Sequence, residues 1–119
     1  MKRPPGDTPR LYEQDGKGYE ATVYAHYFAA SHDWLVTEYS PDEDIAFGWC
    51  CLNGDRQNAE LGYTSLAELE RVRWPVMVGL GRETRVAGYL GIELDEHWQQ
   101  MPLREAIALL DERQGRSNG

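Results

Sequence analysis

At 119 residues and 13.6 kDa the chain has room for one core, and four Trp, seven Tyr and two Phe give that core aromatic mass, which argues against a disordered chain. A formal net charge of −8 and a pI near 4.8 argue against direct binding of nucleic acid or an anionic membrane, since both rest on Lys and Arg. Such a field favours a partner protein with a basic surface.

Residues 1–9 hold three Pro and one Gly and predict a flexible arm. No apolar run of a signal peptide occurs in MKRPPGDTPR, and no stretch approaches the roughly 20 apolar residues of a membrane span. Next, Arg10–Gln14, an Asp15-Gly16 turn signal and the alternating run Tyr19–Phe28 predict a hairpin. In that run Tyr19, Ala21, Val23, Ala25 and Tyr27 share the more apolar face. Trp34–Tyr39, rich in β-branched and aromatic residues, predicts a strand. The turn Ser40–Asp44 follows, in which Pro41 fixes φ, and Ile45–Leu52 pairs back as an antiparallel strand. After the polar loop Asn53–Asn58 comes a short strand, Ala59–Tyr63.

Then the period changes. Ser65 and Glu68 form a capping box, and Leu66, Leu69 and Val72 give helical spacing up to Pro75. Val76–Val78 and Arg85–Leu90 read as strands among glycine bends. Pro102 sits at the first position of a last helix whose stripe is Leu103, Ala106, Ile107 and Leu110, with Gly115 ending it. The expectation is one α+β domain over 10–114, an antiparallel sheet of four to five strands with a capped helix after the sheet strands and a C-terminal helix, then a flexible tail at 115–119.

Charge is concentrated. Residues 31–70 hold nine acids against one base, Arg56, while the rest of the chain balances. The acidic turn Asp42, Glu43 and Asp44, with Glu38, Tyr39, Trp49, Glu60 and Tyr63, is the expected binding surface. Glu38 and Glu60 are also the candidate acid–base pair, since two carboxyls about 5 to 9 Å apart can hydrolyse a glycoside. The competing account has each carboxylate paired with an Arg or with backbone N–H groups. Cys50 and Cys51 are expected as two reduced thiols on opposite faces of a strand, in a cytoplasmic protein. His26, His32 and His97 fit no metal spacing, Gly79-Leu80-Gly81 lacks the context of a nucleotide loop, and no cofactor is implied.

Trp34, Thr37-Glu38-Tyr39, Pro41, Phe47-Gly48, Glu60-Leu61-Gly62-Tyr63, Ser65-Leu66 and Glu68-Leu69 together resemble domain-of-unknown-function family 2958, whose pattern runs roughly W-x-x-TEYDP, FG, ELGY-x-SL-x-EL. Ser40 stands where that pattern has Asp. The resemblance covers roughly residues 11–85 and implies no activity; it implies a setting on plasmids, phages and integrated elements. The functional expectation is a non-catalytic accessory protein that binds another protein. Its alternatives are an anti-restriction or anti-CRISPR inhibitor acting by the acidic surface, and a small carboxylate hydrolase.

Overall fold

A computed structural model describes residues 1–115. The strands are β1 (Thr22–Val23), β2 (Ala25–Ala29), β3 (His32–Ser40), β4 (Ile45–Cys51), β5 (Glu60–Ser65), β6 (Arg73–Val78), β7 (Arg85–Gly91), β8 (Glu93–Leu94) and β9 (Met101–Pro102); the helices are α1 (Leu66–Arg71) and α2 (Leu103–Arg113). Five strands form the main antiparallel sheet in the order β5-β4-β3-β2-β8. β1 pairs with β9, and β6 with β7 as a separate ribbon. The architecture is α+β, as the alternation of short strands with a capped helix and a C-terminal helical stripe dictates.

The sheet is buried on both faces. On one, Tyr27, Trp34, Val36, Tyr39 and Ala46 pack with Leu66 and Leu69 of α1. On the other, Val23, Leu35, Trp49 and Cys51 pack with Leu103, Ala106 and Leu110 of α2. β3 therefore has seven consecutive buried residues, Asp33 to Tyr39. Cys50 joins the first core and Cys51 the second, both as free thiols, the opposite placement that strand geometry requires.

One irregularity decides what β3 shows to each side. Val36 pairs with Gly48 but Glu38 with Phe47, so Thr37 is an extra residue, a β-bulge. It brings Trp34, Val36 and Tyr39 to one face and turns Glu38 to the face of Leu35. Gly48 is obligatory beside it: a Cβ there would lie 1.9 Å from the Leu35 carbonyl oxygen.

Three local expectations are corrected. Arg10–Gln14 forms turns in place of a strand, because its amides and side chains bond to Glu38 and to strand ends instead of a hairpin partner. α1 stops at Arg71, where Val72 turns extended, and Pro75 lies inside β6, an outer strand that tolerates a missing N–H. Pro102 lies at the N-cap position just before α2, which begins at Leu103, and makes no side-chain capping bond. The capping Ser65 does accept the Glu68 N–H, at 3.2 Å.

Residues 1–9 lie against the body. The Arg3 guanidinium forms two 2.9 Å bonds to the Asp44 carboxylate and one of 3.2 Å to Glu70, Tyr27 donates to the Lys2 carbonyl, and the Tyr39 amide donates to the Pro9 carbonyl. Composition reads this stretch as an arm; its charged anchor supplies partners that composition does not reveal. Of the expected tail, only Gly115 falls within the described residues.

Candidate functional site

The second sheet face is covered at one end by α2 and at the other by the loop 11–16. That loop is held by a buried carboxylate. Glu38 accepts the Tyr12 N–H at 2.9 Å and the Gln14 N–H at 2.8 Å. The Gln14 amide in turn donates to the Thr22 and Thr37 carbonyls and accepts the Thr22 N–H, each at 2.8 Å. Tyr12 is thereby fixed at φ +74°, a left-handed conformation that costs a non-glycine residue free energy. Its side chain is presented outward, 67% exposed.

Opposite it, register places Glu38, Phe47 and Tyr63 in one row across β3, β4 and β5. The Phe47 and Tyr63 rings meet at 5.0 Å between centroids. Interaction with the Tyr12 side chain raises the Tyr63 pKa above its usual value. Tyr12, Phe47, Leu61 and Tyr63 thus wall an open hollow of about 340 Å³ with Glu38 at its base. From Tyr12 the surface continues past Arg10, Leu11 and Pro41 to Asp42 and Glu43, both exposed.

Of the residues expected to bind, the structure brings Tyr63, Asp42 and Glu43 to the exterior on this side. Glu38 is the buried clamp. Tyr39 and Trp49 belong to the two cores. Asp44 is tied into the Arg3 clasp and accepts the Tyr39 hydroxyl; burial works to raise its pKa, and bonding to Arg3 and Tyr39 more than offsets this and lowers it. Glu60 faces away: it pairs with Cys50, on the α1 side of the sheet, and lines a different depression with Asn53 and Asn58. The expected pairing of Glu38 with Glu60 is corrected accordingly, since the Thr37 bulge sets Glu38 on the opposite face. The Cys50 thiol is pushed up by burial, away from the thiolate that nucleophilic chemistry needs.

Two features escaped the sequence. Tyr12, placed in a strand by its neighbours, owes its exposure to a clamp 26 residues away. His26 is buried between Asp33, at 2.7 Å from Nε2, and Asp95, at 3.5 Å from Nδ1, with Trp98 against its ring. This cluster ties β2, β3 and the segment after β8 together. No signal short of the β2–β3 register pointed to it. Among the described residues no group of three or more His, Cys, Asp or Glu is placed to hold a metal ion, and no helix is long and apolar enough to cross a membrane.

The model of a family described as a protein of unknown function, DUF2958, matches residues 13–96, which span the whole five-stranded sheet, α1 and the ribbon. The chain belongs to the DUF2958 family. Of the residues that carried the resemblance, Thr37, Glu38, Phe47, Leu61 and Tyr63 line the hollow, whereas Tyr39 and Glu60 lie on the other face of the sheet and Tyr12 precedes the matched region. α2 lies beyond the DUF2958 match. No curated protein and no solved structure matches the chain.

Proposed function

We propose that this DUF2958 chain is a non-catalytic protein-binding module whose contact surface is the hollow between Tyr12 and Tyr63 together with the acidic turn at Asp42 and Glu43. The observation that carries the reading is Tyr12. A buried carboxylate and a glutamine network are spent on holding a strained tyrosine outward, and stored backbone strain concentrates where a surface has a task. Exposed tyrosines offer large, rigid contact area, and adjacent carboxylates without a Lys or Arg partner among the described residues select a basic counterpart. A carboxylate hydrolase is less well supported, because Glu38 has both oxygens engaged by backbone amides and no second carboxylate facing it from Glu60. The mobile-element setting that the resemblance implies makes a host or element protein the natural counterpart.

Capture from a host extract tests the proposal. Wild type is compared with Tyr12→Ala and with the pair Asp42→Asn, Glu43→Gln; Asp44 is left intact because it anchors Arg3. The expected result is a protein retained by wild type and lost from both variants. Equal retention by all three, or capture by none, overturns it.

A further inference from the structure

We propose that the β6–β7 ribbon is a docking arm for a second copy of this chain, seated on the acidic turn at Asp42 and Glu43. The inference rests on the reading of that turn as an accepting surface, and it names the ribbon as its counterpart.

The ribbon stands apart from both cores. Register puts Arg73, Pro75, Met77, Val86 and Tyr89 on one of its faces, and every one of them is exposed, Tyr89 by 67%. At the tip Leu80 is 90% exposed between Gly79 and Gly81. The other face is attached near its base, where Trp74 packs on the first core and stacks on His32 at 4.9 Å and 17°. A two-stranded ribbon is marginal by itself in water, and an apolar face left in solvent is a contact surface awaiting cover.

Charge says what covers it. Residues 71–91 hold four arginines, Arg71, Arg73, Arg82 and Arg85, against one acid, Glu83. Among the described residues none of these arginines has a carboxylate within ion-pair distance, whereas Arg56 and Arg113 each have one and Arg3 and Arg104 two. The complementary group is present on the same chain: Asp42 and Glu43 have no cationic partner among the described residues either. A basic apolar arm and a surface on which Asp42 and Glu43 outnumber the one base, Arg10, bordered by Leu11, Pro41 and Tyr12, are self-complementary, and two copies related by a two-fold axis satisfy both contacts at once. Duplex nucleic acid fits the ribbon less well. Its phosphates would leave the Met77, Val86 and Tyr89 face uncovered and would meet the field of a chain at −8.

The test is sedimentation of the full chain in about 0.01 M and about 1 M salt, between which the Debye length falls from roughly 30 to 3 Å. Two charge reversals are compared with wild type: Arg82→Glu with Arg85→Glu, and Asp42→Lys with Glu43→Lys. All four positions are exposed, so circular dichroism is expected to report a native fold for each variant. The expected result is a wild-type dimer that weakens in high salt, a loss of affinity of about tenfold or more in each variant alone, and restored dimer on mixing the two variants. A wild-type chain that is monomeric in low salt overturns the inference, as does a dimer indifferent to both reversals. Binding of duplex DNA by a wild-type monomer, lost on Arg82 and Arg85 reversal, overturns it in favour of nucleic acid. A monomer that still captures a host protein through Asp42 and Glu43 sinks this inference and leaves the protein-binding reading standing; a monomer that captures nothing removes both.

Discussion

Glu38 shows how one side chain can serve structure where its sequence context suggests chemistry. It sits in a Thr-Glu-Tyr run beside aromatic residues, the neighbourhood of a catalytic carboxylate, yet its two oxygens are taken by the Tyr12 and Gln14 amides. Glu38→Gln replaces one accepting oxygen with a donor facing an amide, so one charge-assisted bond is lost inside the protein. The expected cost is about 2 kcal/mol of unfolding free energy, read as a lower denaturant midpoint with an unchanged slope. Faster hydrogen exchange at Tyr12 and Gln14 would localise the effect to the loop, and an unaltered midpoint would show that the clamp carries no stability. The competing account, a carboxylate satisfied by backbone amides, was legible at this residue. Its partners were not, because they lie 26 and 24 positions away and no local pattern encodes that distance. The same holds for Arg3, which lies 41 positions from Asp44.

Elements were legible in proportion to how far their own residues dictate them. β3, β4 and the stripe of α2 follow from alternation and helical spacing, and they stand close to where those patterns put them. The Arg10–Gln14 strand failed because a turn signal predicts a reversal without saying what the reversing chain will pair with. The ribbon is the opposite case: Arg85–Leu90 and the Val76–Val78 end of β6 were readable, but the start of β6 at Arg73 and the isolation of the pair from the sheet were not, since exposure of alternate apolar residues on both faces breaks the usual pattern. That isolation has a measurable consequence. Amides of β6 and β7 are expected to exchange at least about tenfold faster than those of β3, whose opening requires loss of both cores. Trp74→Ala removes the stack on His32 and should speed ribbon exchange further while leaving β3 amides unchanged; a matched loss of β3 protection would mean the ribbon is part of one cooperative unit.

At the scale of the molecule, the ribbon and the double-sided sheet give extents of 52 × 41 × 25 Å and a radius of gyration of 15.6 Å. A compact chain of this length has a radius nearer about 13.5 Å. The overall charge was legible as a sum, but its placement was not. Asp44 and Glu70 are spent on Arg3, and Glu70 is held down to about 2 by that guanidinium and by the Met1 ammonium. A carboxylate with a folded pKa below its ordinary 4.5 stabilises above that value, and the contribution is lost as pH falls through about 2. Acidification through this window is therefore expected to release residues 1–9, followed by their amide signals, and Arg3→Ala should abolish the transition. Signals from 1–9 that stay unchanged down to pH about 2 would contradict it. The Thr37 bulge has a different kind of reach. Removing this one residue would straighten β3 and exchange the faces of Glu38 and Tyr39, unseating the loop 11–16 and the Arg3–Asp44–Tyr39 cluster together. Lineages of this fold are thus free to change side chains along β3 far more readily than to change its length, and a gap placed at Thr37 in an alignment would signal a different molecule.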